Sequence, residues 1–451
     1  MASINKNQPK PLDADHILSW LAAQPRLKRL LVAYSGGRDS HVLLHRLASD
    51  PRIGQRYPLY AVHVHHGLQA QASAWAEHCA QVCHTLGVKF GCLAVDARPR
   101  AGESVEAVAR TRRYQALAGL LDTHSAVLTA HHQGDQAETV LLALLRGSGP
   151  RGLAAMPMRR ALGRGWLLRP LLYCHSSELS QYAEQQGLVW IDDPSNTAMR
   201  HSRNVVRHQI MPQLHTHWPS VENTLSRVAA HAAEASGLLD ELAAADGAGL
   251  EHPDHSLALL PLQQLSPARQ RNVLRHWLQS RGLPTPSSQQ LQQVMTALVT
   301  AAADRQPCVR WSGVILRRYQ QRLYALSPAS PLPREPIPWP DPYQPLELPN
   351  GDCMQLIAQL GQGLHPQALQ NIQIRQRQGG ERFHPQGRPH SQSLKKLLQE
   401  AHIPPWERQC LPLLYCGSHL AAVPGIGVAA ELAVNAQTTG WTLEWQRGQS
   451  P

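Results

Sequence analysis

The chain has 451 residues, of which 43% are hydrophobic and 17% charged, and its formal net charge is +11. This composition is that of a globular protein and not a disordered one, and the length indicates two to four domains. No window approaches the ~18 uninterrupted apolar residues of a membrane span, and residues 1–11 lack an apolar signal segment, so we expect a cytoplasmic protein.

The positive charge comes mainly from arginine, because the chain has only six lysines. A guanidinium binds phosphate with two parallel hydrogen bonds, so this bias favours a polyanionic partner such as nucleic acid. A general preference for arginine codons is an equally good explanation. The eight cysteines include no C-x-x-C pair, which indicates buried, reduced thiols rather than a zinc or redox site.

Strands and helices alternate in the first half of the chain. Their apolar patterns predict strands at 27–34, 59–65, 88–95 and 126–130 and helices at 73–86, 103–121 and from 135 onward. This alternation predicts a doubly wound α/β domain with a Rossmann-like parallel sheet over residues 1–215. Ligands of such sheets bind at the carboxyl ends of the strands.

The second half is divided by a proline-rich segment. Residues 216–327 predict a mainly helical middle domain that ends in a hairpin at 308–326. The segment 328–349 is too rich in proline for a helix or a central strand, so we expect an extended linker. A small α/β domain is expected over 350–451, with an amphipathic helix at 393–401.

The strongest motif is a glycine-rich loop between the first strand and the first helix of the α/β domain. Its glycines let backbone N–H groups approach phosphate, the helix N-terminus adds positive potential, and its aspartate can hold magnesium. The string is neither a Walker A loop nor G-x-G-x-x-G. A simple turn is the alternative interpretation. The loop consists of Ser35, Gly36, Gly37, Arg38, Asp39 and Ser40.

Acidic and basic pairs follow at helical spacing. Asp135 and Glu138 share a helix face, where they could hold magnesium or accept a proton, or simply favour the helix N-terminus. Arg203 and Arg207 are spaced to bind two phosphates. Arg113 lies on a helix whose charges could equally form a solvated face.

Histidines 63, 65 and 66 end the second strand, but strand geometry turns the last of them away from the first two and argues against a metal site. The ordered motifs resemble the tRNA(Ile)-lysidine synthetases of the PP-loop ATP pyrophosphatase superfamily. They run SGGxDS, HVxHxL, ARxxRY, TAHHxxDQxET, RGxGxxGLxxM, RPLL and DxSN with RNxxR, and a further set lies between 379 and 415. The chain departs from the family pattern at Gly134, where aspartate is usual, and at His65 and Gln69.

The resemblance implies that ATP adenylates the wobble cytidine of a CAU-anticodon tRNA(Ile), and that free lysine then displaces AMP to form lysidine. It implies ATP and Mg²⁺ as cofactors, with Asp39 and Asp135 as magnesium ligands. No membrane and no obligate protein partner are expected. The implied catalytic residues are Asp39, Arg113, Asp135, Glu138 and Arg203; ATP would bind Ser35, Gly36, Gly37, Arg38, Asp39, Ser40 and His63; the tRNA would contact Arg151, Arg207, Arg382, Lys395 and Lys396.

Other functions stay open at this stage. A tRNA-thiolating PP-loop enzyme would usually carry paired catalytic cysteines, which the chain lacks. An amidating relative would need a glutaminase nucleophile, for which no candidate is found. A non-catalytic RNA-binding protein would not require an intact SGGxDS loop together with Asp135 and Glu138.

Overall fold

The computed structural model describes residues 12–65, 72–96, 98, 105–193, 202–300, 307–327 and 332–447. The chain forms two compact units, Met1–Leu239 and Asp240–Pro451, whose boundary falls within one long helix. No helix in the described ranges combines the length and the apolarity that crossing a bilayer requires.

The first unit contains the predicted α/β fold. In its described part, the strands are β1 Arg29–Ala33, β2 Leu59–His65, β3 Lys89–Ala94, β4 Ser125–Leu128, β5 Arg159–Leu162 and β6 Gly165–Leu168. The α-helices are α1 Ala14–Ala22, α2 Arg38–Ala48, α3 Pro51–Arg56, α4 Ala72–Thr85, α5 Val105–Gly119, α6 Gln133–Leu145, α7 Pro150–Leu153, α8 Ser176–Gln185, α9 Ser202–Val205, α10 Met211–His217 and α11 Val221–Gly247; a π-helical turn, Val206–Ile210, joins α9 to α10.

Six strands form one sheet in the order β3-β2-β1-β4-β6-β5, parallel except for the edge strand β5. Leu30 and Val32 of β1 belong to the hydrophobic core on one face, whereas Leu31 belongs to the core on the other. Both faces are buried because successive strand residues point in opposite directions and helices cover each side. The prediction of a doubly wound parallel sheet is confirmed.

The second unit begins with helices packed on a small antiparallel sheet. The order of this sheet is β7-β10-β9-β8, so the expected hairpin is part of a larger sheet. The additional turn is at Gln320 and Gln321, whose φ angles of 44° and 61° are left-handed. Because glutamine is unusual in such turns, this boundary between two strands was not predicted from the sequence. The elements are β7 Leu257–Ala258, α12 Leu259–Gln264, α13 Pro267–Ser280, α14 Ser288–Val294, a π-helical turn Met295–Val299, β8 Cys308–Trp311, β9 Val314–Tyr319 and β10 Arg322–Leu326.

The rest of the second unit is a small α/β fold with its own core. Its two main sheets have the orders β11-β14-β17-β18-β19 and β12-β13-β20. The elements are β11 Ile337–Pro338, β12 Leu346–Glu347, β13 Cys353–Leu360, β14 Ile372–Gln376, β15 Arg382–Phe383, β16 Gln392–Ser393, α15 Leu394–Glu400, α16 Pro405–Cys410, β17 Pro412–Cys416, β18 His419–Val423, β19 Gly427–Val428 and β20 Thr439–Gln446, with 3-10 turns at Pro366–Leu369 and Ala430–Leu432.

The proline-rich segment differs from the expected linker over its described part, 332–349. Leu332, Trp339 and Leu348 are buried in the core of this fold, and two short strands pair within its sheets. Proline excludes a helix or a central strand, as predicted, but it is tolerated in edge strands such as β11. These residues therefore belong to the C-terminal fold.

Candidate active site

The glycine-rich loop connects β1 to α2 and is closed by its own hydroxyl groups. The Ser40 hydroxyl donates to the carbonyl oxygen of Gly37 at 2.9 Å and accepts from the backbone N–H of Ser35 at 3.2 Å. The loop leads into the N-terminus of α2, a helix of 11 residues. The helix dipole favours an anion at this end.

Position 36 of this loop favours glycine strongly. Its φ of +86° is left-handed, and a Cβ there would lie 2.6 Å from Cδ1 of Ile191. The backbone N–H of Ile191 also donates to the carbonyl oxygen of Gly36 at 2.9 Å. The segment after α8 thus holds the loop in place by a close backbone contact.

Arg38 is held against α8. Its guanidinium donates to Ser176 Oγ at 3.0 Å and Ser180 Oγ at 2.8 Å, and its Nε donates to Oδ1 of Asp39 at 2.9 Å. These bonds orient the Asp39 carboxylate, whose side chain remains 32% exposed. Asp39 is therefore accessible to a ligand, and its carboxylate is paired with the guanidinium of Arg38.

His132 lies between the glycine-rich loop, which we also call the phosphate loop, and the acidic pair Asp135 and Glu138. It is the N-cap of α6, and its Nδ1 accepts a hydrogen bond from the backbone N–H of Gly134 at 3.1 Å, which leaves the ring proton on Nε2. That Nε2 lies 3.7 Å from Oδ2 of Asp39 and 3.7 Å from Oδ2 of Asp135. One imidazole edge therefore faces carboxylates from two separate motifs.

Asp135 and Glu138 are joined to the two predicted arginines in a four-residue network. Arg203 donates to Glu138 Oε2 at 2.7 Å and to Asp135 Oδ1 at 2.9 Å. Arg207 donates to Glu138 Oε1 at 2.6 Å and to Asp135 Oδ1 at 2.8 Å. The acidic side chains are buried, with 12% of Asp135 and 5% of Glu138 exposed.

Electrostatics keep Asp135 and Arg207 ionised. Burial alone would raise the pKa of Asp135, but the nearby imidazoles and guanidinium groups, led by His132 and Arg203, hold it well below its usual range. Burial lowers the pKa of Arg207, and its bonds to Glu138 and Asp135 raise it further than burial lowers it. A carboxylate with so low a pKa is a poor proton acceptor, so Asp135 is better suited to orient charge than to take a proton.

A cavity of about 260 Å³ opens between the phosphate loop, α6, α8, α10 and α11. Charged side chains of the glycine-rich loop and of the acidic network line this cavity. Such a lining suits a substrate that carries several charges. Its lining includes the predicted residues Arg38, Asp39, Glu138 and Arg207, and residues that were not predicted as site residues: His132, Ser176, Met211, His215 and Glu222.

His63 is buried beneath the loop. Its Nδ1 donates to the carbonyl oxygen of Tyr34 at 3.0 Å, directly before Ser35. Burial is the main reason why the pKa of the His63 imidazole is lowered, and the positive charge of Arg113 on α5 lowers this pKa further. His63 therefore supports the loop as a neutral imidazole, and Arg113 lies close enough to affect it.

Known proteins match this chain along nearly its whole length. A tRNA(Ile)-lysidine synthase from Alkalilimnicola ehrlichii is 45% identical over 406 residues, covering 88% of this chain and 89% of that protein. The protein of the same name from Coxiella burnetii is 40% identical over 437 residues, covering 96% of each chain. The one from Methylococcus capsulatus is 40% identical over 422 residues, covering 92% of this chain and 95% of that protein.

The chain belongs to the tRNA(Ile)-lysidine synthase family. Three family models match it in order: a PP-loop domain at residues 13–214, a TilS substrate binding domain at 257–324 and a TilS substrate C-terminal domain at 372–445. The family resemblance inferred from the motifs is confirmed. The α/β sheet and most of the cavity lining lie within the residues that match the PP-loop model, whereas His215 and Glu222 lie just beyond them.

In this member of the lysidine synthase family, several residues that were predicted to contact tRNA lie away from the cavity lining. Arg151 is exposed on α7, and Lys395 and Lys396 are exposed on α15, opposite the buried leucines of that helix. Arg382 donates to the carbonyl oxygen of Ser391 at 2.8 Å and is exposed. Arg207, which was also predicted to contact tRNA, lines the cavity and belongs to the acidic network. Predicted motif positions 66–69 and 194–196 lie outside the described residues.

No group of three or more histidine, cysteine or carboxylate side chains in the described ranges is arranged to hold a metal ion by itself. Asp39 and Asp135 both approach His132, but the oxygens of Asp135 accept from two guanidinium groups and a backbone N–H. Asp39 is the more accessible of the two predicted ligands. A metal bound here would need oxygens from a substrate or from water as well.

Proposed function

We propose that this chain ligates the side-chain amine of free lysine to C2 of the wobble cytidine in CAU-anticodon tRNA(Ile), using ATP. The reaction releases pyrophosphate and then AMP, and the lysidine product changes codon reading from AUG to AUA. One observation carries the proposal: His132 brings the phosphate-loop carboxylate of Asp39 to the Asp135–Glu138–arginine network beside a single cavity.

The first step is adenylation of the cytidine. The O2 atom attacks the α-phosphorus of ATP, a C2–O–AMP linkage forms, and the bond to pyrophosphate breaks. Ser35 to Ser40 would bind the departing pyrophosphate through backbone N–H groups, the dipole of α2 and the serine hydroxyls. Arg38, already fixed by two serines of α8, would add positive charge near the same phosphates.

The second step replaces AMP by lysine. The neutral ε-amine attacks C2, the C2–O bond breaks, and AMP leaves with the oxygen while the amine loses a proton. Glu138 is the better candidate to contact that amine, because it lines the cavity, whereas the depressed pKa of Asp135 makes it a weak base. Arg203 and Arg113 would then stabilise the phosphate or the adenylated intermediate.

Magnesium fits this site through Asp39. Mg²⁺ is commonly bound by one or two carboxylates together with substrate phosphates and water, and Asp39 is partly exposed at the end of the loop. The ion would supply charge neutralisation for the leaving pyrophosphate. Asp135, which approaches the same nitrogen of His132 as Asp39 does, would add negative charge near the ion.

Binding of the tRNA body would use basic residues outside the cavity. The exposed Arg151 and Arg382, with Lys395 and Lys396, supply such charges on both units. Phosphate contacts of this kind provide affinity and position the RNA. The wobble base would be turned out of its stack to reach the cavity.

A thiolating function is less well supported. Burial raises the pKa of the thiols of Cys79 and Cys174 to about 12, which makes them poor nucleophiles near neutral pH. A non-catalytic RNA-binding role would not explain why Asp135 and Glu138 are bonded to Arg203 and Arg207 beside the glycine-rich loop.

Exchange of labelled pyrophosphate into ATP tests adenylation separately from lysine transfer. We expect exchange in the presence of CAU-anticodon tRNA(Ile) and magnesium, and little exchange without the tRNA. Exchange that is independent of tRNA, or absent with it, would contradict the proposal.

A further inference from the structure

The carboxylate of Glu222 faces the same cavity as the phosphate loop. Glu222 is the second residue of α11, and its side chain is 18% exposed. One of its oxygens lies 3.4 Å from Nε2 of His215, and the other lies 3.7 Å from Nδ1 of His175. Helices α10 and α11 and the start of α8 therefore converge on this carboxylate.

The other cavity carboxylates have stronger counter-charges. Asp39 is bonded to Arg38, and Glu138 is bonded to Arg207, whereas within the described part of the chain the ion-pair contacts of Glu222 are with imidazoles. A guanidinium is charged at every physiological pH, but an imidazole is only a conditional cation. Glu222 is thus the cavity carboxylate best able to accept a cationic group from a ligand.

Glu222 also fills the space beside Gly134, where the chain departs from its family pattern. A Cβ built on Gly134 would lie 3.3 Å from Oε1 of Glu222. Gly134 has helical backbone geometry in α6, so the backbone itself does not exclude a side chain there. The structure therefore places a carboxylate from α11 where an acidic side chain at 134 would otherwise reach.

We propose that Glu222 binds the α-ammonium group of the free amino acid substrate, an inference that rests on the proposed lysine ligation. The amine that attacks C2 is neutral at the moment of attack, so the ammonium that stays charged throughout is the one on the α-carbon. A charge-assisted hydrogen bond from that group to Glu222 fixes the backbone end of lysine in the cavity. An acidic side chain at position 134 would reach the same space as Glu222 and could bind the same ammonium group.

Substrate analogues test this assignment directly. The analogue 6-aminohexanoate keeps the carboxylate and the attacking amine of lysine but lacks the α-amino group. The intact enzyme should prefer lysine to this analogue in kcat/KM, and Glu222→Ala should reduce that preference by roughly 10- to 100-fold, the effect of losing one charged hydrogen bond. An unchanged preference in Glu222→Ala would overturn the proposal.

Pyrophosphate exchange separates this inference from the proposed function. Glu222→Gln keeps the size of the side chain, so tRNA-dependent exchange should stay within about 2-fold of the intact enzyme while KM for lysine rises at least ~10-fold. Glu234→Gln, an exposed position on α11, should change neither value. A large loss of exchange in Glu222→Gln would overturn the assignment, and an intact enzyme that exchanges pyrophosphate but ignores lysine would instead reject the proposed function.

Moving the carboxylate provides a second test. The double variant Gly134→Asp with Glu222→Ala should recover much of the preference for lysine that Glu222→Ala loses, because both side chains reach the same space. The ring of His132 must shift slightly, since a Cβ at 134 would lie 2.9 Å from its Cε1. A double variant that retains exchange but regains no preference would contradict the shared role.

Discussion

The Nε2 atom of His132 lies 3.7 Å from a carboxylate oxygen of Asp39, although the two residues come from different motifs. The same ring edge lies 3.7 Å from Asp135, which the arginine network keeps ionised. The glycine-rich loop and the acidic pair thus lie beside each other in one site.

Substitution of Asp39 should stop adenylation without releasing the tRNA. We expect Asp39→Asn to lower tRNA-dependent pyrophosphate exchange by at least ~100-fold, because the carboxylate that is proposed to bind magnesium is lost. Binding of tRNA, measured by filter retention, should change less than about 2-fold, since phosphate contacts elsewhere supply most affinity. Glu184→Gln, on the exposed face of α8, serves as a control. Near-normal exchange in Asp39→Asn would refute the assignment of the loop.

Gly36 is expected to tolerate no side chain. Gly36→Ala strains the backbone at a left-handed φ and places a Cβ 2.6 Å from Ile191 Cδ1, which must move, so KM for ATP should rise by ~10-fold or more. Gly54→Ala is the matched control, because a Cβ there meets nothing within 4 Å. Equal ATP affinity in the two variants would show that the loop conformation is not required.

The acidic network should contribute both stability and activity. Glu138→Ala leaves the guanidinium groups of Arg203 and Arg207 with one carboxylate between them, which should cost about 2 kcal/mol, a few degrees in melting temperature. Lysine transfer should fall more than pyrophosphate exchange, because Glu138 is proposed to act on the amine. Arg203→Lys keeps the charge but loses the two-pronged geometry and should give an intermediate loss. Equal losses in both steps would contradict the role of Glu138.

The half-buried imidazole of His131 should make stability depend on pH. Burial lowers its pKa from 6.5 to about 3, so between these values the unfolded chain binds a proton that the folded chain does not. Stability therefore rises with pH across this window, and about 2 kcal/mol should be lost between pH 7 and pH 5. His131→Gln should flatten this dependence in denaturant titrations. A slope unchanged by His131→Gln would contradict the pKa shift.

Lys395 and Lys396 should contribute to the salt dependence of tRNA binding. Replacing both with alanine should weaken binding and lower the slope of log affinity against log salt by about 1 per lost phosphate contact. Lys28→Ala, an exposed lysine in the first unit, is the control. An unaltered slope would remove α15 from the RNA-binding surface.

The sequence predicted the α/β sheet well where strands are buried on both faces. The bounds of β2 match the prediction, and β1 differs from it by two residues at one end and one at the other. The hairpin of β5 and β6 was not predicted, because Arg159 and Arg160 obscure the strand pattern and Gly163 turns the chain at a left-handed φ of 54°.

The site was predicted only in part, for a related reason. Asp39, Asp135 and Glu138 lie in local motifs whose spacing indicates their chemistry. Glu222 and His175 gain their positions from the packing of α8 and α11, and no spacing in the sequence relates them to Gly134. Tertiary contacts of this kind become visible only in the folded chain.

Incorporation of labelled lysine into RNA tests the central claim most directly. Protein supplied with ATP, magnesium and lysine should label CAU-anticodon tRNA(Ile) and release one AMP for each lysine incorporated, while methionine tRNA with the same anticodon is labelled poorly. Absence of lysine in the RNA, or labelling without release of AMP, would contradict the account.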